Sequence, residues 1–205
     1  MKWWHKVWIW IRWPLVVLVA FYILLVLYRI PAVGEQQKTQ DAVARIEAAH
    51  ITLADVEGSV LPPMPNEEEN NATVAGIDKN NNGIRDDIEL AIFKLHPDSA
   101  KVRAAELQYA MAEQMFLTDV FNTDTWIAVA QQDSRAYACV GKSVPNSNNL
   151  NADLQSVKTR INEVQNLVFN TNSRKDAENK AYTFTTSYGD LSGESCDIDL
   201  STLSN

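Results

Sequence analysis

The sequence predicts a mainly helical protein, in which one N-terminal transmembrane helix precedes an exported helical bundle. Three observations support this fold class. A long uncharged apolar run lies near the N-terminus, and apolar residues recur three and four positions apart through most of the remaining chain. Strand-like alternation is scarce, with only residues 182–186 rich in β-favouring side chains. The 205-residue chain is long enough for one domain beyond the apolar run.

The N-terminal apolar run has the length of a membrane span. Residues 13–28 carry no charge, and the run extends back to Val7 past a single Arg12. A transmembrane helix needs about 20 apolar residues, so residues 7–28 are predicted to cross the membrane, with Arg12 reaching the headgroups. Five tryptophans favour the membrane interface in this stretch: Trp3, Trp4, Trp8, Trp10 and Trp13.

The charges around this span predict its orientation. Lys2, Lys6 and Arg12 lie at its N-terminal end, and no acidic residue precedes Glu35. The positive-inside rule therefore places the N-terminus in the cytoplasm and the C-terminal domain in the periplasm or outside the cell, for a single-pass inner-membrane protein. A cleaved signal peptide is the alternative, but Ile30 and Pro31 stand where a cleavage site needs small residues.

The exported part divides into three segments by composition. A stalk helix is predicted in residues 34–56, because apolar residues such as Val43 and Ile46 follow a helical period. Residues 57–77 are a predicted linker, with three prolines and a run of three glutamates. Residues 78–205 form the predicted helical domain, whose helices cover residues 84–95, 99–116, 123–141, 154–168 and 173–184.

The exported part is acidic and contains both cysteines. Beyond residue 33 it carries 26 acidic and 14 basic residues, a formal charge of −12 that repels nucleic acid. Basic partners remain compatible with such a surface. In an oxidising compartment Cys139 and Cys196 are predicted to form a disulfide that tethers the C-terminal tail. In a eukaryotic type II protein, the same topology would make Asn71 a glycosylation site.

Residues 78–89 combine oxygen-bearing side chains with a central glycine. The oxygens belong to the first, third, fifth, ninth and twelfth residues of this segment, namely Asp78, Asn80, Asn82, Asp86 and Glu89. Gly83 occupies the sixth place, where a sharp turn is needed. Because Ca²⁺ takes six to eight oxygen ligands, this spacing predicts a calcium site.

These twelve residues resemble EF-hand-like calcium loops, especially those of dockerins and thrombospondin type 3 repeats. The resemblance implies side-chain ligands from Asp78, Asn80 and Asn82, a backbone carbonyl from Ile84, a direct or water-mediated contact from Asp86 and a bidentate carboxylate from Glu89. Arg85 departs from the pattern at the eighth place, and no helix precedes the loop. We therefore expect a solitary loop with a structural ion. The alternative is an Asn-rich turn that only caps the following helix.

The sequence predicts a binding function more strongly than a catalytic one. It contains no Gly-x-Ser-x-Gly elbow, phosphate loop, HExxH or CxxC motif. We expect a non-enzymatic binding or scaffolding protein of the cell envelope, with an unidentified envelope protein as partner and no nucleic acid. A specific form of this hypothesis is a protein that neutralises a toxin. The alternative is an envelope hydrolase that acts on cell-wall polymer and uses calcium only structurally.

Overall fold

The computed structural model describes residues 3–59, 61–189 and 193–204, and within the first helix it describes the side chains of residues 12–26, 28–29 and 32 onward. Across these ranges the chain forms eight α-helices and one 3₁₀ helix, and no strand. The mainly helical character expected from the sequence is present. The chain divides into two compact units, Met1–Asp41 and Ala42–Asn205.

Helix α1 spans Trp3–Ala48 and contains the predicted membrane span. Among the residues described, no helix combines the length and apolar character that crossing a membrane requires. The predicted transmembrane helix over residues 7–28, and the single-pass inner-membrane localisation that depends on it, are contradicted by this finding. The side chains of Trp3, Trp4, Trp8 and Trp10, which were expected at the membrane interface, lie outside the described residues.

The physical reason is the length of the apolar segment. Arg12 and Arg29 bound the uncharged part of this helix, residues 13–28. Sixteen helical residues span about 24 Å, whereas the hydrocarbon layer is about 30 Å thick. Arg29 and the polar residues 35–41 follow within the same helix.

The predicted stalk helix is interrupted near its C-terminal end. Helix α1 ends at Ala48, and the separate short helix α2 spans Leu53–Glu57. Thr52 begins α2 with a capping box: the Asp55 N–H donates to Thr52 Oγ1, and the Thr52 N–H donates to Asp55 Oδ2 at 2.7 Å. This reciprocal pair satisfies two N–H groups at the start of the helix and places Asp55 in the interior, where it is 6% exposed.

The predicted linker contains a short helix of its own. Helix α3 spans Glu67–Asn71, and Asn66 caps it by accepting a hydrogen bond from the Glu69 N–H. The run of three glutamates therefore lies in a first helical turn, where negative charge is favourable. Residue 60 of this segment lies outside the described residues.

Helix α5 is the centre of the second unit. It spans Ala100–Thr118, begins at the Ser99 cap, and has every residue from 102 to 116 buried. Around it pack helices α4, α6, α7 and α8, which span Asp86–Leu95, Thr123–Ser143, Leu150–Val168 and Asn172–Tyr182. Tyr137 of α6 is 45% exposed.

The C-terminal tail is fastened to this bundle. Cys139 and Cys196 form the predicted disulfide. Gln108 of α5 accepts from the Asp197 N–H at 3.0 Å and donates to the Ser195 carbonyl at 2.8 Å. The Asp197 carboxylate in turn accepts from the Ile51 N–H at 3.0 Å. The tail therefore fixes the connection between α1 and α2, and it ends in the 3₁₀ helix Leu200–Thr202.

Two fully buried arginines join the segment before α4 to the junction of α7 and α8. Arg85 donates to the Leu167 and Val168 carbonyls at 2.7 and 3.3 Å, which satisfies the last turn of α7. Arg174 donates to the Asn70 carbonyl at 2.6 Å and to the Val74 carbonyl at 3.1 Å.

Gly76 makes room for the first of these arginines. A Cβ atom at Gly76 would lie 2.1 Å from Arg85 Cδ, and the residue has a positive φ of 70°. A larger residue would meet both a steric and a conformational obstacle there.

We predict that Arg174→Ala lowers the free energy of unfolding by about 2–5 kcal/mol, because it leaves buried carbonyls without donors. Arg174→Lys should recover only part of this loss, since an ammonium lacks the guanidinium fork. Urea denaturation measures both effects. Lys175→Ala is the exposed control, and it should stay within about 0.5 kcal/mol of the wild type. An Arg174→Ala protein as stable as this control would contradict the anchoring role.

Candidate functional site

The 78–89 loop is closed by its own side chains. Asp78 accepts hydrogen bonds from the Asn82 N–H at 3.2 Å and from the Gly83 N–H at 2.9 Å. The Asn82 side-chain oxygen accepts from the Ile84 N–H at 3.0 Å. Asn81 adopts a positive φ of 57°, which asparagine tolerates better than most residues. These bonds form a tight Asx-type turn at the centre of the loop.

The end of the loop is buried. Asp86 accepts from the Lys79 N–H at 2.9 Å, and burial raises the pKa of its carboxyl above the usual value. Glu89 is fully buried, with Oε2 accepting from Asn80 Nδ2 at 3.1 Å. Burial, the first cause, raises the pKa of Glu89 to about 7, and nearby Asp55 adds to the increase. The other oxygen of Glu89 has no hydrogen-bond partner.

Contacts outside the loop tie it to α2 and α5. Asn82 Nδ2 donates to Asp55 Oδ1 of α2 at 3.2 Å. On α5, Met111 lies directly against Gly83, since a Cβ at Gly83 would be 3.4 Å from Met111 Cγ. The Ile84 side chain is fully buried in the core. The loop therefore acts as one wall of a larger site.

The calcium-binding prediction does not survive in the form that the sequence suggested. Within the described ranges there is no group of three or more His, Cys, Asp or Glu side chains that could hold a metal ion. The reason is that the acidic residues do not converge. Both oxygens of Asp78 and Oδ1 of Asp86 accept from backbone N–H groups of the loop, whereas Glu89 Oε1 is buried without a hydrogen-bond partner.

A groove of about 620 Å³ lies beside the loop. Its walls come from the end of α1, the start of α2, residues 81–83 and the second half of α5. Apolar side chains form much of the lining, and three of them belong to the core: Ile46, Met111 and Met115. The sequence did not predict this groove, because its walls are brought together by contacts between distant segments.

Two acidic residues line the groove, and their carboxylates have different partners. Asp55 is engaged by the capping box of α2 and by Asn82. Asp119, which follows α5, accepts from Arg45 Nη2 at 2.6 Å. The Arg45 side chain is 66% exposed, so this ion pair faces solvent.

A second set of acidic groups is buried on α5, away from the groove lining. Glu106 Oε2 lies 2.9 Å from His96 Nε2, and Arg160 lies 4.0 Å from the other oxygen. Burial raises the pKa of Glu106 to about 8 and, together with Arg160, lowers that of His96. Both shifts favour the uncharged forms, a protonated carboxyl beside a neutral imidazole, over the ion pair that the distance alone would suggest.

Glu113 forms a similar buried centre about two turns further along α5. It accepts hydrogen bonds from the Tyr109 hydroxyl and from Gln165 Nε2, the latter at 2.8 Å. Burial raises the pKa of Glu113, and burial together with the Glu113 charge raises that of Asp133 on α6 to about 7. The periodic pattern of α5 predicted an apolar helix and did not reveal these carboxyls.

Comparisons with models of protein families, with curated proteins and with solved structures found no match to this chain. The geometry of the groove and of the loop therefore carries the functional argument.

Sequence reasoning identified the loop but missed its long-range partners. Arg85 was recognised only as a departure from the EF-hand pattern, whereas it is the residue that caps α7. Asp55 had a weak local signal in the Thr52-to-Asp55 capping spacing. Its contact with Asn82, 27 positions away, had none.

We predict that acidic pH stabilises the protein. The pKa values of Glu89, Glu106 and Asp133 in the folded state, about 7, 8 and 7, lie above their ordinary values. The folded protein thus keeps protons that the unfolded chain releases, and the free energy of unfolding falls as pH rises from about 4.5 to about 8. The melting temperature should be higher at pH 5 than at pH 8.5.

Glu106→Gln should reduce this pH dependence and melt above the wild type at pH 8.5, by roughly 2–4 °C for each kcal/mol recovered. Exposed Glu57→Gln is the matched control and should leave the slope unchanged. A wild-type melting temperature that rises from pH 5 to pH 8.5 would contradict the assignment.

The metal-binding group missing from the described residues concerns His, Cys, Asp and Glu side chains alone. Calcium held partly by amide and carbonyl oxygens of the loop stays a prediction. The affinity that the resemblance implies, about 10⁻⁴ to 10⁻³ M, corresponds at 10 mM Ca²⁺ to roughly 1.4 kcal/mol or more of stabilisation. Differential scanning fluorimetry of the oxidised chain, with calcium and with chelator, measures it. Asp78→Ala should remove the increase, whereas exposed Asp98→Ala should keep it. Equal melting temperatures with calcium and chelator would exclude the ion as a cofactor.

Proposed function

We propose that the unit Ala42–Asn205 is a non-catalytic binding domain, and that the groove beside the 78–89 loop holds a segment of a partner protein. The observation that carries this proposal is the groove itself. Its volume of about 620 Å³ falls within the usual range of ligand sites, about 300–1,000 Å³. Its lining combines an apolar base with a small number of polar groups, which is typical of binding sites.

The two methionines favour a polypeptide ligand. Met111 and Met115 lie one helical turn apart on α5 and both line the groove. Methionine is flexible and polarizable, so it adapts to side chains of different shape and is common at binding surfaces. An apolar side chain of a partner would displace water from this base and gain the hydrophobic contribution of the buried area.

The walls of the groove are held in place before any ligand binds. Asp197 fixes the connection at Ile51, the Asn82–Asp55 contact fixes the loop, and buried α5 carries the methionines. A preformed site loses less conformational entropy on binding than a flexible one. The fixed walls therefore support ligand binding as the role of the groove.

The predicted alternative, a hydrolase with paired carboxylates, has less support. The two acidic residues of the groove lining are Asp55, in a capping box, and Asp119, in an ion pair. Glu106, Glu113 and Asp133, whose pKa values are raised, do not belong to that lining. The more specific idea that the partner is a toxin stays a prediction.

We predict that Ala49→Trp, which fills the groove, abolishes peptide binding. A displayed library of random dodecapeptides provides the probe, with selection on the wild-type chain and counter-selection on Ala49→Trp. Methionine-methyl NMR then locates the bound peptides. Signals of Met111 and Met115 should shift, whereas that of Met64, which is 72% exposed, should not.

Ala44→Trp is the matched control, because Ala44 is exposed on the same helix and does not line the groove. It should bind the selected peptides like the wild type. Enrichment that is equal on the wild type and on Ala49→Trp, or peptides that shift only the Met64 signal, would overturn the proposed function.

A further inference from the structure

We infer that the segment bound in the groove is basic, and that its guanidinium or ammonium group replaces Arg45 at Asp119 while a neighbouring apolar side chain contacts Met111 and Met115. This inference rests on the proposed function and names the chemistry of its partner. It follows from three features of the groove: an exchangeable carboxylate, an exposed arginine that occupies it, and the charge of the domain.

Asp119 is held in position independently of Arg45. It follows the last turn of α5, and its second oxygen accepts from the Thr118 hydroxyl at 2.6 Å. The side chain is 17% exposed, so its orientation is restricted while the carboxylate still faces the groove. Removal of Arg45 would therefore leave an oriented carboxylate at the edge of an apolar surface.

The ion pair between Arg45 and this carboxylate is weak. The Arg45 side chain is 66% exposed and reaches Asp119 across a separation of 74 residues. Exposed ion pairs contribute about 0–1 kcal/mol to stability. Exchange of Arg45 for a cation from a partner therefore costs little, and the displaced guanidinium returns to water.

The other acidic group of the groove cannot play this role. Asp55 already accepts from the Thr52 N–H and hydroxyl at 2.7 and 2.6 Å and from Asn82 at 3.2 Å. A ligand cation would have to break these bonds, which also begin helix α2. The exchangeable carboxylate is thus Asp119.

The charge of the domain favours a basic partner as well. Ala42–Asn205 carries 24 acidic and 13 basic residues, a formal charge of −11. A field of this sign attracts cationic segments and repels acidic ones before contact, with an effect that salt weakens. The groove lining contains two basic side chains, those of Arg45 and His50.

The test uses the same dodecapeptide library on the full-length chain and on two variants with opposite expected effects. Peptides selected on the wild type should be enriched in Arg and Lys beside an apolar residue, and this enrichment should disappear on Asp119→Asn. Arg45→Ala should bind the selected basic peptides up to about fivefold more tightly, since it removes the competing cation. Replacing the peptide Arg by citrulline should weaken binding to the wild type but not to Asp119→Asn.

Two controls reproduce the charge changes away from the groove. Lys94→Ala and Glu47→Gln alter exposed residues outside the lining and should leave peptide affinity unchanged. Peptides that shift the Met111 and Met115 signals without basic enrichment would overturn this inference and leave the proposed function intact. Weaker binding to Arg45→Ala would also overturn it. Absence of any groove-binding peptide would instead overturn the proposed function.

Discussion

Two buried guanidinium groups hold the irregular part of the domain on its helical part. Residues 70–85 contain little regular structure, so their carbonyls lack helical partners. Arg174, which lies on α8, donates hydrogen bonds to two of these carbonyls. Arg85, which belongs to the irregular segment, donates in turn to the last turn of α7. A buried charge is costly unless it is fully hydrogen-bonded. The hydrogen bonds of each arginine therefore explain both why it can be buried and why this segment adopts one conformation.

The position of the groove depends on that attachment. Arg85 comes two residues after Gly83, which lines the groove beside Met111. The opposite wall depends on the C-terminal tail, because Asp197 holds the connection at Ile51 and the disulfide holds the tail on α6. The groove is thus defined from both sides by contacts between segments far apart in sequence, whereas its base is the regular helix α5.

The sequence allowed prediction of what depends on local periodicity and capping. The apolar periodicity predicted helices over residues 84–95 and 99–116, which correspond to α4 and α5, and the cysteine pair predicted the disulfide. The break of the stalk at residues 49–52 was missed, because a capping box competes there with an unbroken helical period. The membrane prediction was wrong because it extended the span past Arg12, whereas the uncharged part, residues 13–28, is shorter than a membrane span requires.

The acidic composition has two separate physical roles in this domain. The pKa of Glu106 is about 8, so its carboxyl is mostly protonated at neutral pH, and Glu89 and Asp133, at about 7, are partly so. These groups contribute less to the electrostatic field than the formal charge implies. The field instead arises from exposed carboxylates and from Asp119 at the groove. Acidification therefore strengthens the fold through the buried acids while it weakens the attraction of a basic partner through the exposed ones.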